Sequence, residues 1–260
     1  MKNLLLIGSG VWGQKYIKTI TSNFPQVVLT IANRENWKQL IDAHPDGVIV
    51  ATPPESHVEI AAYSLAKNIP TVIEKPLSLS LNEAMLLEKF NAPVLVNHIH
   101  LFSDSYQKIK SIIGSSDITG IKTIGYNNSP ARNYSALWDY GPHDLSMILD
   151  LTGCLPIKVN ITEFPSRADK SLFDITMDFG RFLTQSIVGN GAYTKKRYIS
   201  VSFDGLNVSY DENSNNQPFN YKPPLENMLN VFIDIINGKK DNRTGLDMSY
   251  KILKILSTNK

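Results

Sequence analysis

Three short stretches of this 260-residue chain carry residue types that could do chemistry. The first is Gly8-Ser9-Gly10-Val11-Trp12-Gly13, a G-x-G-x-x-G spacing directly after the apolar run Leu4 to Ile7. In such a turn the first glycine permits a tight bend. The second lets the backbone approach a pyrophosphate, and the third lets the following helix lie close to the strand. Amides at the helix start then face the phosphate charge. The second stretch is Glu74-Lys75-Pro76, closing a short apolar run. Ligands of open α/β sheets bind beyond the carboxyl ends of strands, so Lys75 is aimed at that crevice. The third is Trp138-Asp139-Tyr140-Gly141-Pro142-His143. Spacing of four puts Asp139 and His143 on one helix face. Pro142 equally suits the first turn of a helix starting near Gly141, which leaves Asp139 just ahead of it. Each stretch also has a plain structural alternative: a strand–helix turn, a surface lysine, and an N-capping aspartate with a core histidine.

About 20 residues beyond the glycine turn comes the position that reads a dinucleotide's ribose. An acid there accepts bonds from the 2′-hydroxyl. This chain has Asn33-Arg34 instead. Asn33 carries no charge to repel a 2′-phosphate, and Arg34 can pair with one. NADP(H) is therefore expected in preference to NAD(H).

Elements that would hold these residues alternate through the first 96 positions. Strands are expected at Asn3–Ile7, Val27–Ala32, Gly47–Ala51, Thr71–Ile73 and Pro93–Val96. Helices are expected at Val11–Ser22, Asn36–Ala43, Ser56–Lys67 and Ser80–Phe90. Continuous apolar strands between helices predict a doubly wound parallel sheet covered on both faces, a Rossmann domain. The character then changes. Strands at Lys122–Asn127, Ile157–Phe164, Leu172–Phe179, Phe182–Val188 and Tyr198–Phe203 predominate, several alternating with period two. They predict an α+β domain with a mainly antiparallel sheet. It contains one clear helix, Leu137–Leu151, a polar loop at Asp211–Pro218, and closing helices Leu225–Ile236 and Met248–Leu256. The boundary falls near residue 117, giving a dinucleotide-binding domain 1–116 and a substrate-binding and oligomerisation domain 117–260.

Composition narrows the partners. With 26 Lys+Arg against 24 Asp+Glu the formal charge is +2, which gives no general pull toward nucleic acid or an anionic membrane. Lys195-Lys196-Arg197 reads as a solvated strand edge or turn. The lone Cys154 excludes an internal disulfide and a thiolate zinc site; it reads as a thiol packed at a helix end, and no metal is expected. The N-terminal apolar run is short and followed at once by glycines, so it reads as a buried strand rather than a signal peptide, and the cytoplasm is the expected compartment.

Taken together, the glycine turn, Ala51-Thr52-Pro53-Pro54-Glu55-Ser56-His57, Glu74-Lys75-Pro76, Asp139-Tyr140-Gly141-Pro142-His143 and Leu151-Thr152-Gly153 resemble the Gfo/Idh/MocA oxidoreductases. So does the closing stretch from Pro224 to Gly238. The resemblance implies hydride transfer between a nicotinamide cofactor and the carbinol or ketone of a sugar, cyclitol or nucleotide sugar. It implies Lys75, His143 and Asp139 as catalytic residues. His143 would be the acid/base, Lys75 the group that polarises oxygen, and Asp139 the orienting residue. Thr52, Pro53, Pro54 and His57 would wall the cofactor, and Glu74 would help seat the nicotinamide ribose. A homodimer or homotetramer through the C-terminal sheet is also implied. Ser146 departs from the family's usual Asp, and the region between residues 155 and 225 is shorter than usual. Two other activities fit less of the pattern: reduction of a non-sugar C=O or C=N group, and cofactor sensing without turnover.

Overall fold

In a computed structural model of the chain, the described residues are 1–167, 169–212, 222–239 and 245–259. Residues 213–218 of the expected polar loop lie outside them. The fold divides into two compact units, Met1–Ile99 with Pro223–Leu253, and His100–Lys222 with Lys254–Lys260.

The first unit is built on five parallel strands, β1 (Lys2–Ile7), β2 (Val27–Ala32), β3 (Gly47–Val50), β4 (Thr71–Glu74) and β5 (Val94–Asn97), in the order β2-β1-β3-β4-β5. Leu4 to Ile7, all of β3 and all of β4 are buried, as strands covered on both faces must be. Edge strand β2 differs: Val28 and Ile31 remain exposed. The connecting helices are α1 (Val11–Asn23), α2 (Trp37–Asp42) and α3 (His57–Leu65). The helix expected over 80–90 shrinks to α4 (Leu81–Ala84), started by Ser80, whose side chain accepts from the Glu83 amide, and a 3-10 turn Met85–Leu87. Strand order reverses between β1 and β3, on either side of which crossovers leave in opposite directions. That reversal opens the crevice in which such sheets hold ligands.

The second unit contains α5 (Asp104–Ile113), β6 (Ile118–Tyr126), α6 (Ala136–Thr152), β7 (Lys158–Arg167), β8 (Lys170–Asp178), β9 (Leu183–Gly189), β10 (Lys196–Phe203) and β11 (Leu206–Asp211). Its sheet has the order β11-β10-β6-β9-β8-β7, antiparallel except for the parallel pair β6–β9. Alternation is clear in β8, where Phe173, Ile175 and Met177 are buried, with Thr184, Ser186 and Val188 of β9 beside them. Helix α6 packs on that face.

The closing helices are α7 (Pro224–Ile236) and α8 (Leu246–Leu256). Helix α7 belongs to the first unit, not to the domain 117–260 in which sequence order placed it. It packs on α1, and a side chain on Gly47 at the start of β3 would meet Ile236 at 2.7 Å and Phe232 at 2.8 Å. Sequence order cannot show this return, because the helix is joined to the second unit by the chain and to the first by packing. The change of unit also falls at Ile99/His100, ahead of the expected boundary, since α5 packs with β11 in the second unit.

Two other expectations are corrected. Cys154 is exposed just past the end of α6, after Gly153, whose φ of 69° supplies the left-handed cap. Arg197 is not solvated: its side chain is 14% exposed and bound to Asp144, which is fully buried. Only Lys195 and Lys196 of that run face solvent, paired with Glu212 and Asp211. Among the described residues no helix is long and apolar enough to cross a membrane.

Candidate functional site

In the first unit, the residues singled out from sequence lie along the carboxyl ends of four strands. Gly8 to Gly13 follow β1, Asn33-Arg34 follow β2, Thr52 to Pro54 follow β3, and Glu74-Lys75 close β4. The loops after β1 and β3 touch at the crevice. Gly8 has φ 103°, and a Cβ there would sit 2.6 Å from the Ala51 carbonyl oxygen. A Cβ on Gly13 would sit 2.1 Å from the Gly8 carbonyl oxygen. Neither position admits a side chain. Gly10 has nothing within 4 Å of such an atom, so its neighbourhood is open to a ligand. It is also the N-cap of α1, with no side-chain cap and no acid in the first turn. The uncapped amides of a 13-residue helix therefore point into open space, which suits a pyrophosphate. Val11 is exposed at this mouth, and the Trp12 ring is covered by Lys15, whose Nζ is 4.1 Å from the ring centroid.

Beyond β2, Asn33 folds the chain on itself. Its Oδ1 accepts from the amides of Glu35 at 2.8 Å and Asn36 at 3.0 Å, and its own amide donates to Asn36 Oδ1 at 2.9 Å. Arg34 is left exposed at the tip.

His57 turns inward. It is buried, with Nδ1 2.9 Å from the Pro76 carbonyl oxygen and Nε2 2.8 Å from that of Thr52. Burial pushes its pKa below the ordinary value, more than the two carbonyls lift it. The ring ties the loop after β3 to the loop after β4, and so holds Thr52 and Pro76 in place.

Glu74 and Lys75 are both buried, and the Lys75–Pro76 bond is cis. Glu74 Oε1 accepts from the Tyr16 hydroxyl at 2.8 Å and from Asn97 Nδ2 at 2.7 Å, while Oε2 is buried with no partner. Burial raises the Glu74 pKa; Asn97, Tyr16 and the Lys75 charge act against it. The register pairs Glu74 with Asn97, so the next residues, Lys75 and His98, follow side by side off the ends of β4 and β5. His98 Nε2 lies 3.0 Å from Ser249 Oγ, and Nδ1 is buried without a partner. Burial first, and the Lys75 charge second, bring its pKa down to about 3, so His98 stays neutral. The sequence reading does not include Tyr16, Asn97 and His98, because only the packing of α1 on the sheet and the register of β4 with β5 place them beside Glu74 and Lys75.

In the second unit, α6 runs without interruption through Pro142 and is started by Ser135, whose side chain accepts from the Leu137 amide at 3.2 Å. Asp139 and His143 therefore share a helix, one turn apart, and Asp139 is not the N-cap. Arg132, half-exposed in the preceding loop, donates from Nε to Asp139 Oδ2 at 2.6 Å. Beside them is a cavity of about 250 Å³ bounded by Arg132, Tyr134, Asp139, Tyr140, Phe173 and Asn190. The Tyr140 hydroxyl donates to Asn127 Oδ1 at 2.6 Å. Ser146 is fully buried, its hydroxyl donating to the His143 carbonyl at 2.8 Å, so it faces the interior rather than a ligand. Among the described residues no group of three or more His, Cys, Asp or Glu could hold a metal ion.

A glycine turn with open amides at the switch point of a five-stranded parallel sheet is the arrangement of a Rossmann fold. Comparison agrees: residues 28–98 match the Gfo/Idh/MocA profile, described as an oxidoreductase family with an NAD-binding Rossmann fold. Glucose-6-phosphate 3-dehydrogenase of Bacillus subtilis (strain 168) is 30% identical over 111 residues, 40% of this chain and 31% of that protein. The matches to curated relatives span 31% to 59% of those proteins' lengths. A Magnetospirillum magnetotacticum MS-1 chain, provisionally classed as an oxidoreductase, superposes with a TM-score of 0.90 at 24% identity, covering 98% of both chains. The myo-inositol dehydrogenase of Lactobacillus casei, solved with NAD(H) and myo-inositol, gives 0.84 at 15% identity, covering 99% of this chain and 93% of that one. At such identities the superpositions establish the fold. Over residues 28–98 the sequence is thus similar to the Gfo/Idh/MocA family, and over nearly its whole length the chain shares the fold of the dehydrogenases on which it superposes.

The glycine positions separate packing from binding. Gly10→Ala is expected to fold normally and weaken dinucleotide binding roughly tenfold or more, because the methyl group enters the space a pyrophosphate needs. Gly13→Ala is expected to cost about 1–3 kcal/mol of stability, because turn and helix must part. Thermal melts alongside fluorescence titrations with NADH and NADPH check both.

Proposed function

We propose that the chain is an NAD(P)-dependent oxidoreductase acting on CH–OH groups. It would transfer a hydride between nicotinamide and a sugar, cyclitol or nucleotide-sugar carbon, in the cytoplasm. The observation that carries this is the alignment of the open glycine turn, Thr52 and Glu74-Lys75 along the strand ends of one sheet. Names of relatives support the substrate class, since they are a sugar-phosphate dehydrogenase and cyclitol dehydrogenases.

The bound nicotinamide supplies hydride chemistry. The amides at the start of α1 hold the pyrophosphate. The Lys75 ammonium favours negative charge growing on the substrate oxygen. His143, with a reference pKa near neutrality, takes the hydroxyl proton in oxidation and returns it in reduction. Asp139, anchored by Arg132, orients the substrate. Assembly as a homodimer or homotetramer would use the second unit's sheet, where Thr176, Gln185, Ser200 and the exposed Leu183 line a shallow depression.

Preference for NADP(H) rests on Asn33 and Arg34. Asn33 spends its carbonyl on the turn, and Arg34 stands exposed beside it. An exposed ion pair gives up to about fivefold in affinity. Titration by nicotinamide fluorescence is therefore expected to show tighter NADPH than NADH, with Arg34→Ala levelling the two. Tighter NADH would end the preference but not the oxidoreductase assignment. A panel of sugars, cyclitols and nucleotide sugars then tests turnover, and binding of neither cofactor would overturn the whole proposal.

A further inference from the structure

Tyr16 ties two parts of the candidate dinucleotide site together. It stands on α1, whose first amides face the open glycine turn, and it is fully buried. Its hydroxyl donates to Glu74 Oε1 at 2.8 Å, at the end of β4. Asn97, at the end of the neighbouring strand β5 and also fully buried, donates from Nδ2 to Glu74 Oε1 at 2.7 Å and to the Tyr16 hydroxyl at 3.0 Å. All three residues belong to the first unit.

This cluster has no hydrogen left to donate. The phenol carries one and the amide two, and the three bonds use them all. Two acceptors are left over, Glu74 Oε2 and Asn97 Oδ1, both buried and without a partner among the described residues. Turning the Asn97 amide over would not satisfy them, because it would set the amide oxygen against Glu74 Oε1. A buried acceptor left unpaired is costly, and only a group that brings hydrogens can complete the cluster. Ribose hydroxyls are such groups.

The same bonds act on the charge of Glu74. Burial raises its pKa, and the bonds from Asn97 and Tyr16 work against that rise, with the Lys75 charge. Burial and the Glu74 carboxylate lift the Tyr16 pKa well above its ordinary value, so Tyr16 stays a phenol and stays a donor. Without the two donors, burial would favour the neutral acid, which holds a hydrogen where a lone pair is needed.

We propose that Tyr16 and Asn97 are positioning residues for the cofactor: by occupying Oε1 of Glu74, they leave Oε2 as the oxygen that accepts from a hydroxyl of the nicotinamide-side ribose. The inference rests on the dinucleotide reading above, with Glu74 at that ribose. The Tyr16 bond also fixes Glu74 relative to α1, so the acceptor for the ribose is held at a set distance from the amides that take the pyrophosphate. Affinity for that half of the cofactor then depends on a phenol that is itself fully buried.

Fragments of the cofactor separate the two contacts and need no turnover. ADP carries the pyrophosphate, and ADP-ribose adds the distal ribose. Calorimetric titrations with each would be run on the wild type, Tyr16→Phe, Asn97→Leu and Glu74→Met, with thermal melts to identify the folded variants. Phenylalanine keeps the ring and removes the hydroxyl; if Asn97→Leu does not fold, Tyr16→Phe decides alone. Glu74→Met is expected to lower ADP-ribose affinity roughly tenfold or more, and Tyr16→Phe and Asn97→Leu about three- to tenfold each, while ADP affinity stays within about twofold throughout. ADP-ribose affinity lost in Glu74→Met but unchanged in Tyr16→Phe would overturn the positioning role and leave Glu74 at the ribose. Affinity unchanged in Glu74→Met would remove Glu74 from the ribose, and the proposal with it. ADP weakened in step with ADP-ribose would also overturn it, since the cluster would then only support the glycine turn. Binding of neither fragment by the wild type would overturn the dinucleotide reading itself.

Discussion

Asp144→Ala is expected to destabilise the second unit by about 3–5 kcal/mol and lower its melting midpoint by on the order of 10 °C. Asp144 is fully buried on α6, and its Oδ2 receives Arg197 Nη1 from β10 at 2.5 Å. Its other oxygen, Oδ1, is buried with no hydrogen-bond partner. Removing the carboxylate strands a guanidinium that is itself only 14% exposed. The cost comes from that uncompensated charge, not from the attraction alone. The double variant Asp144→Leu with Arg197→Met should accordingly recover most of the loss, because it removes both charges and keeps the volume. Scanning calorimetry of the three proteins decides the matter; a single variant that melts with the wild type would mean the pair carries no weight.

The second large effect belongs to Lys75 and His143. Lys75→Met keeps most of the buried stem and removes the charge, and His143→Ala removes the proton carrier. Each should lower kcat by about 10²–10⁴-fold. Cofactor affinity, read from nicotinamide fluorescence, should stay within about threefold of wild type. Turnover unchanged in both variants would show the catalytic assignment to be wrong. Affinity lost in step with turnover would instead point to a collapsed crevice around the β4 end.

Much of this architecture was legible from local signals. Strand β2 was placed end for end by its apolar run and flanking turn residues, and the glycine turn by its position between a strand and a helix. Two elements were overlooked although their signals are present. Helix α5 carries Ser103 as its cap and buries Tyr106, Ile109 and Ile113 at helical spacing. Strand β11 pairs with β10 through the two-residue turn Asp204-Gly205, both with positive φ, a strong hairpin signature. Other features had no local signal. Arg197 reads as one member of a basic run until the sheet brings it over Asp144. The inward turn of His57 depends on two carbonyls that are 24 residues apart in the chain, Thr52 and Pro76.

The return of α7 to the first unit sets an order on how the protein can be made. As the chain leaves the ribosome, all five parallel strands emerge within the first 99 residues. The helix that covers Gly47 and α1 ends only at Ile236. At typical elongation rates of about 5–20 residues per second, the nascent sheet must wait on the order of ten seconds with that flank bare. During this wait the second unit's strands are being synthesised. The first unit is first to be translated, yet it depends on a piece supplied after the second unit's sheet has been synthesised.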